Sequence, residues 1–595
     1  MEYKNIFKNL FIVFFIILIF IYLFNRELEL EFGSIIFKLI SGNSYYQYES
    51  YIYSITTSIF FILKVSISIV IVLCIIGYFK NYKLYNFNYK QNLIRNFFLT
   101  EVSKNVNIFS IIIILLYSIM VIFGVTHHEP WLNEAQAWLI ARDLSVTDII
   151  KQMGYEGSPS LWHFILVPFA KSGVPYISAS IIHAIIAIIC VAIFIIYSPF
   201  SVITKVLFVF SYYMAYEYAV IARNYNITIL CSFLIILYYK KRFVSPVLYG
   251  ILVFFLFNTN IHSFFMAGSL MCLYIYEVYK KERFIKHYVC ILIMAAGGVT
   301  AFLQVIPEED CFIPLSRFVP ANSGLFSSFY SSGFITGIYD AFFNGLPSLS
   351  FIKLLVLSLV MLFLIICFFI RKPYILFLFL CSYMWLCYIF TFKNPGALRH
   401  HGLMLIFLIF SIWIGDFYKE SFLCDNEKCL SQKFFDISQK ILFIMLNIGL
   451  LCSCVYNVYF YCRDYKFNFS SSKEVAQFIL TNHYDRYTLV CYGDISTAPI
   501  LPYLPESKVW YVARRGTGTF VIWNMFAYKS VSLKEDEIIK IVKGNFSDLS
   551  HVLLILNIPL SNQESSGFKL IYHSNPAFGL EAAAYERYWI YKAFK

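Results

Sequence analysis

Charged side chains are scarce in this chain of 595 residues, at 14% of the sequence, whereas soluble domains carry roughly 25%. Hydrophobic residues make up 59% of the chain and fall in blocks long enough to cross a bilayer, which takes about 20 residues. The mean hydropathy of +0.68 agrees with this pattern. The sequence therefore argues against a soluble globular protein and predicts a polytopic α-helical membrane protein.

We expect neither a cleavable leader nor a nucleic-acid-binding surface. The apolar run Leu10–Phe24 follows Lys4 and Lys8 without a small-residue cleavage site, so we expect a retained first span. The net charge of +12 comes from Lys and Arg in short loops between apolar blocks, where such residues determine topology. We therefore expect a lipid bilayer around the protein and no nucleic acid partner.

The apolar blocks predict about thirteen transmembrane helices. They lie at 9–24, 56–79, 107–125, 176–198, 200–217, 224–239, 246–260, 262–278, 287–305, 351–370, 373–391, 402–416 and 439–460. With a cytoplasmic N-terminus, the loops rich in Lys and Arg all fall on the cytoplasmic side, as the positive-inside rule requires. The prediction is an integral membrane protein whose polar clusters face the extracytoplasmic side.

Three domains follow from this arrangement. Residues 1–105 form an N-terminal extension with two spans, and residues 106–462 form the transmembrane core, with outer loops at 126–175 and 306–350. Residues 463–595 are more polar and predict a small extracytoplasmic α/β domain that begins with a helix at Ser470–Leu480. Its predicted strands are Tyr487–Tyr492, Lys508–Val512, Val552–Leu556, Lys569–Tyr572 and Tyr588–Tyr591.

The first outer loop concentrates the candidate chemistry. It contains the string HEPWLNEAQAWLIARD, in which Asn133–Leu144 predicts an amphipathic helix at the membrane interface. Glu134 begins this helix and is placed to take a proton from an acceptor hydroxyl. The alternative role for Glu134 is to stabilise the positive end of the helix dipole.

Basic residues recur at the other outer turns. Arg223 lies between two apolar blocks, where a phosphate would match its guanidinium, although an ion pair with Glu217 is the alternative. The segment Arg399–Gly402 opens a late span with an arginine, two histidines and free backbone N–H groups, which favours an anion site. Adjacent histidines without an HExxH motif argue against zinc.

The order of these motifs resembles the GT-C superfamily of membrane glycosyltransferases. The closest likeness is to the glycosyltransferase-39-like group, akin to protein O-mannosyltransferases and lipid A aminoarabinose transferases. The resemblance covers roughly residues 107–460. It rests on HEPWLNEAQAWLIARD, YEGSPSLW, ARNY, the Asn260/His262 pair and NPGALRHHG.

The resemblance implies an enzyme of the bacterial plasma membrane that takes a sugar from a polyprenyl-phosphate donor. Transfer would occur on the outer face, with inversion, to a glycan, lipid or protein acceptor. Glu134 matches the glutamate of the family's Asp-Glu pair, and Glu129 is the second candidate base. The donor-phosphate or substrate contacts that the resemblance implies are Asn133, Arg223, Tyr225, His262, Arg399, His400 and His401. No cofactor is implied with certainty, and the need for a divalent cation stays open.

Two positions depart from the family pattern. Asn133 stands where the family tends to have Asp, and Ser158 stands where a His is common. If that Asp is the true base, Glu134 or Glu129 must replace it, or the chain is a catalytically inactive relative. A transporter or flippase of lipid-linked sugars is the third reading. That reading predicts internal repeats and polar groups at mid-bilayer depth, and the sequence displays neither.

Overall fold

A computed structural model describes residues 107–281, 284–311, 333–344, 351–392, 394, 396–418, 430–504, 509–525, 533–579 and 586–594. The predicted extension 1–105, with its spans at 9–24 and 56–79, lies outside the described residues, as does much of the outer loop 306–350. The described part is mostly helical and ends in a small domain built on one β-sheet.

Helices form the first and larger part of the described chain. They are α1 (Ile108–His127), α2 (Leu132–Asp143), α3 (Val146–Glu156), α4 (Leu161–Lys171), α5 (Ile177–Tyr197), α6 (Val202–Val209), α7 (Tyr225–Tyr239), α8 (Pro246–Phe257), α9 (Phe264–Lys281), α10 (Ile285–Gln304), α11 (Gly333–Phe343), α12 (Phe351–Phe369), α13 (Pro373–Phe392), α14 (Leu398–Gly415) and α15 (Leu430–Lys466). Seven candidate spans among the described residues are long and apolar enough to cross a membrane, which identifies a polytopic membrane protein. The predicted number of thirteen is not confirmed.

The predicted span 200–217 is not one continuous helix. Helix α6 ends at Val209, and a π-helical turn occupies Tyr213–Glu217. Between them the backbone N–H of Tyr212 leaves the helical pattern and donates to Ser453 Oγ at 3.1 Å. The turn packs closely on α14, because a Cβ added at Gly402 would come within 2.3 Å of the Tyr213 ring.

Helix α2 confirms the predicted helix but not its predicted environment. Its middle, from Glu134 to Ala141, is buried on every side, whereas an amphipathic interfacial helix would expose one face. The helix packs on α4 and on the 3₁₀ segment Ala498–Tyr503 of the C-terminal domain. The C-terminal domain therefore covers the surface that the sequence assigned to lipid headgroups and water.

The C-terminal domain begins with α16 (Ser472–Thr481) and contains a mixed six-stranded sheet. Its strands are β1 (Thr488–Cys491), β2 (Val509–Tyr511), β3 (Gly516–Gly518), β4 (Val552–Leu556), β5 (Phe568–His573) and β6 (Trp589–Ala593), in the order β3-β2-β1-β4-β6-β5. Strand β1 pairs in parallel with β2 and β4, and Val490 lies opposite Leu554. The remaining helices are α17 (Asp494–Thr497), α18 (Glu535–Asn545) and α19 (Gln563–Ser566).

The five predicted strands are all present; Val552–Leu556 has the predicted boundaries, and the boundaries of the other four differ by one or two residues. Strand β4 is buried along its whole length, which explains its uninterrupted run of Val, Leu and Ile. Strand β3 is an addition, because its Gly-Thr-Gly sequence carries little β propensity by itself. It forms through antiparallel pairing with β2, in which Thr517 lies opposite Trp510.

Candidate functional site

The candidate site lies at the end of the helical bundle where α1 and α15 end and α7 and α14 begin. We call this the site end. Glu134 lies there, in the first turn of α2, with 3% of its surface exposed. Its Oε1 accepts the Ala222 N–H at 2.7 Å. Its Oε2 accepts the Trp131 N–H at 3.2 Å and faces His128 Nε2 at 3.1 Å. Both carboxylate oxygens of Glu134 are therefore occupied by neighbouring groups.

His128 connects Glu134 to the end of α15, the last helix of the helical bundle. Its Nδ1 lies 2.8 Å from Asp464 Oδ2, and the Tyr216 hydroxyl donates to the same oxygen at 2.8 Å. Burial alone lowers the pKa of His128, but Asp464 and Glu134 outweigh burial and raise the pKa to about 10. A buried imidazolium between two carboxylates results. We call Glu134, His128, Asp464 and Tyr216 the acidic network.

Glu129 stands apart from this network although it follows His128 directly. Its Oε2 is buried, and no described group forms a hydrogen bond with it. Burial raises the pKa of Glu129 to about 7, although nearby Lys473 and His128 oppose that shift. A carboxylate with an unoccupied oxygen and a pKa near neutrality has the properties of a general base.

Positively charged and imidazole groups lie beside the acidic network. The guanidinium of Arg399, on α14, lies 5.7 Å from the Trp131 ring, and that of Arg223 lies 5.4 Å from the Tyr225 ring. Both arginines are within electrostatic reach of His262. The basic cluster consists of Arg223, Tyr225, His262, Arg399 and His400.

A small cavity of about 80 Å³ lies beside Arg399 of the basic cluster. Trp131, which caps α2, lines it together with Arg399 and Glu217. The carboxylate of Glu217 accepts a hydrogen bond of 2.6 Å from Tyr212. This cavity places a cation, a carboxylate and an aromatic surface around one volume at the start of the helix that carries Glu134.

His401 forms its side-chain contact with a residue outside the basic cluster. Its Nδ1 lies 2.8 Å from Asp340 Oδ2, on α11, and it is 4% exposed. Gly396, at φ +82°, makes this position accessible, because a Cβ there would come within 2.7 Å of His401 Nε2. The sequence grouped His401 with Arg399 and His400, and the structure places it within electrostatic reach of His262 and His400, although its Nδ1 is paired with Asp340.

Asn133 occupies the position beside Glu134 in the first turn of α2 and is half-buried. A neutral amide there cannot accept a proton as a carboxylate would. Ser158, the other departure from the family pattern, accepts a 2.7 Å hydrogen bond from Asn224. That contact connects the YEGSPSLW segment to the residue that follows Arg223.

Further acidic residues at the site end were not singled out from the sequence. Glu156 accepts from Gln136 at 2.7 Å and from Gln152 at 3.2 Å. Burial raises its pKa to about 7. The only sequence signal for Glu156 is its presence in YEGSPSLW, and the only signal for Asp464 is its place at the end of the last apolar block.

The C-terminal domain contributes directly to this site. Glu586 Oε1 accepts the Leu132 N–H at 2.9 Å, which caps the start of α2. Gln136 and the backbone of Val521 exchange two hydrogen bonds of 2.9 Å each. The domain thus fixes both the beginning and the middle of the helix that carries Glu134, through contacts that span hundreds of residues.

No model of a known protein family matches the chain, and no curated protein matches it either. Within the described ranges, no group of three or more His, Cys, Asp or Glu side chains is arranged to hold a metal ion. The function therefore has to be argued from the geometry of the site end and from the motifs of the sequence.

Proposed function

We propose that this protein is an integral membrane glycosyltransferase of the GT-C type, with about thirteen transmembrane helices in the full chain. It moves a sugar from a polyprenyl-phosphate donor to an envelope acceptor on the outer face, by a single displacement that inverts the anomeric centre. The observation that carries the proposal is the chemistry of Glu129. It combines a buried oxygen that no described group occupies with a pKa near 7.

Glu129, rather than Glu134, is the general base of this mechanism. Both oxygens of Glu134 already accept hydrogen bonds, and the carboxylate faces an imidazolium. Protonation of Glu134 would weaken or break those contacts. Glu134 therefore acts as a positioning residue that holds α2, His128 and the Ala222 backbone in place. This assignment also accounts for an enzyme that has Asn133 where a carboxylate would be expected.

The reaction begins when Glu129 removes the proton of an acceptor hydroxyl. The hydroxyl oxygen then forms a bond to the anomeric carbon while the bond from that carbon to the phosphate oxygen breaks. The lipid phosphate leaves with the electron pair of that bond, and Arg223 and Arg399 stabilise its negative charge. The apolar helices beneath the site end provide a surface for the prenyl chain.

A catalytically inactive relative is the second candidate, and a specific observation favours it. Asn133 supplies no carboxylate, and Glu134 is engaged by Ala222, Trp131 and His128. Such a protein would bind the lipid-linked sugar without transferring it. The role of Glu129 distinguishes the two candidates.

The test uses purified protein in vesicles, radiolabelled polyprenyl-phosphate hexoses and an envelope extract as the source of acceptor. Glu129→Gln is expected to reduce label transfer by about 100- to 10,000-fold, the usual contribution of general-base catalysis. Glu308→Gln, which changes an exposed carboxylate, serves as the matched control and should transfer at the wild-type rate. Transfer that survives in Glu129→Gln would contradict the assignment of the base. Donor binding without transfer by the wild type would favour the inactive relative.

A further inference from the structure

Two histidines of the basic cluster stack against each other. His262 lies in the 3₁₀ turn Ile261–Ser263, and His400 lies in the first turn of α14. Their ring centroids are 5.1 Å apart and their planes differ by 26°. The edge-to-face contact of Tyr225 with His400, at 5.8 Å, connects the pair to the aromatic ring next to Arg223.

The hydrogen bonds of Asn260 determine which nitrogen of His262 carries a proton. The Asn260 side-chain oxygen accepts the backbone N–H of His262 at 2.8 Å. Because a backbone N–H can only donate, the accepting atom is an oxygen and not the amide nitrogen. The same oxygen lies 2.6 Å from His262 Nδ1, so Nδ1 must be the donor. In the neutral ring, Nε2 of His262 is then a hydrogen-bond acceptor.

His400 has the opposite arrangement. The backbone N–H of Ala397 donates to His400 Nδ1 at 2.8 Å, so this nitrogen carries a lone pair and the ring is neutral. Its proton must therefore be on Nε2, which makes Nε2 of His400 a hydrogen-bond donor. No described group forms a hydrogen bond with Nε2 of either histidine.

The two stacked rings thus offer one acceptor and one donor. A phosphate oxygen without a proton can only accept, so it matches His400 and is mismatched with a neutral His262. A third positive charge on His262 would be repelled by Arg223 and Arg399, both within electrostatic reach. A sugar hydroxyl both donates and accepts, and therefore matches the pair.

We propose that His262 and His400 bind hydroxyl groups of the donor sugar instead of its phosphate. His262 Nε2 accepts a hydrogen bond from a sugar hydroxyl, and His400 Nε2–H donates to a hydroxyl oxygen. In this arrangement the lipid phosphate is bound by the arginines of the cluster. This inference rests on the proposed function, and it makes the histidine pair a determinant of which sugar is accepted.

The test compares two ligands of the purified protein, sugar-free polyprenyl phosphate and a set of polyprenyl-phosphate hexoses. His262→Phe is expected to weaken binding of the best-bound hexose donor about tenfold, the value of one lost hydrogen bond of about 1.4 kcal/mol. Binding of sugar-free polyprenyl phosphate should stay unchanged. His262→Gln, whose amide can still accept, should retain most of the affinity for the hexose donor.

Deoxy analogues of the best-bound donor sharpen this test. One analogue lacks the hydroxyl that donates a hydrogen bond to His262. It should bind the wild type about tenfold more weakly than the parent donor does. It should bind His262→Phe with no further loss. The control is His287→Phe. His287 lies near the start of α10, away from the site end, and its ring contacts the Tyr274 hydroxyl at 2.7 Å.

Three outcomes would overturn the inference. An equal loss of affinity for the sugar-free lipid would make His262 a phosphate ligand. Unchanged binding of every hexose donor would show that His262 touches no sugar. If the wild type binds neither kind of lipid, the proposed function fails with the inference. The first two outcomes leave the proposed function standing.

Discussion

The acidic network and the basic cluster lie side by side at the site end, but their polar groups are used differently. In the acidic network, Glu134 and His128 use both of their polar side-chain atoms on other parts of the same chain. In the basic cluster, His262 and His400 use one ring nitrogen each, and no described group forms a hydrogen bond with the other. Glu134 and His128 therefore hold segments together, whereas the two histidines keep the capacity to bind a ligand that we propose for them.

Glu129 differs from Glu134 in the same respect. It adjoins His128 in sequence, yet its buried Oε2 has no hydrogen-bond partner among the described residues. A carboxylate that stabilises a fold and a carboxylate that accepts a proton need opposite environments, because each hydrogen bond to the charged form makes protonation harder. The comparison supports the proposed roles, in which Glu134 holds the fold and Glu129 accepts the proton.

Removal of His128 should have the largest effect on folding. His128→Ala leaves Glu134 and Asp464 buried without the cation between them, and loss of one partner from such a cluster costs about 3–5 kcal/mol. The free energy of unfolding in detergent measures this loss. The neighbouring exposed His127 is the control, and similar losses in His127→Ala and His128→Ala would contradict a structural role for the network.

Removal of a cluster arginine should affect binding more than folding. Arg399→Ala and Arg223→Ala are each expected to weaken binding of sugar-free polyprenyl phosphate about 10- to 100-fold, because hydrogen bonds to charged groups contribute about 1.5–3 kcal/mol. Titration of the lipid into purified protein measures this. Arg142→Ala, which removes a partly exposed pair with Asp143, should bind as the wild type does. If both cluster variants bind the lipid with unaltered affinity, these arginines do not bind its phosphate.

The contact of the C-terminal domain with α2 should depend weakly on pH. Burial raises the pKa of Glu586 from 4.5 to about 7, so the folded state favours the neutral carboxyl. The stability from Glu586 is complete below pH 4.5 and is lost as pH rises through about 7. The wild-type melting temperature should therefore fall across this range, and Glu586→Gln should reduce the fall by about 2–4 °C.

The exposed carboxylate of Asp536 provides the control for that experiment. Asp536→Asn should leave the dependence of melting temperature on pH as it is in the wild type. An identical pH dependence in Glu586→Gln and the wild type would mean that Glu586 titrates normally and does not report on the contact between the domain and α2.

Sequence periodicity predicted the elements of the fold well, because long apolar blocks and short β-rich runs are local signals. It found a helix starting beside Glu134 and five of the six strands. It placed α2 at an exposed interface, because the covering contacts of Glu586 and Val521 come from residues hundreds of positions away. The break after α6 depends on a contact between Tyr212 and Ser453, which apolar content does not reveal.

The candidate site was predictable only in part for the same reason. The loop pattern pointed to Glu129, Glu134, Arg223, Arg399 and His400 as site residues. It did not separate the roles of Glu129 and Glu134, since that difference depends on backbone N–H groups and on Asp464. It also gave no sign that His401 pairs with Asp340, which comes from the distant helix α11.

The pH dependence of single-turnover sugar transfer tests the central claim most directly. If Glu129 is the base, the wild-type rate rises with pH to a plateau, with a midpoint near 7 set by burial of that carboxyl. The residual rate of Glu129→Gln should no longer depend on pH in this range. Folded Glu134→Gln should keep the pH dependence of the wild type. A titration that persists in Glu129→Gln and disappears in Glu134→Gln would contradict the account and return the base to Glu134.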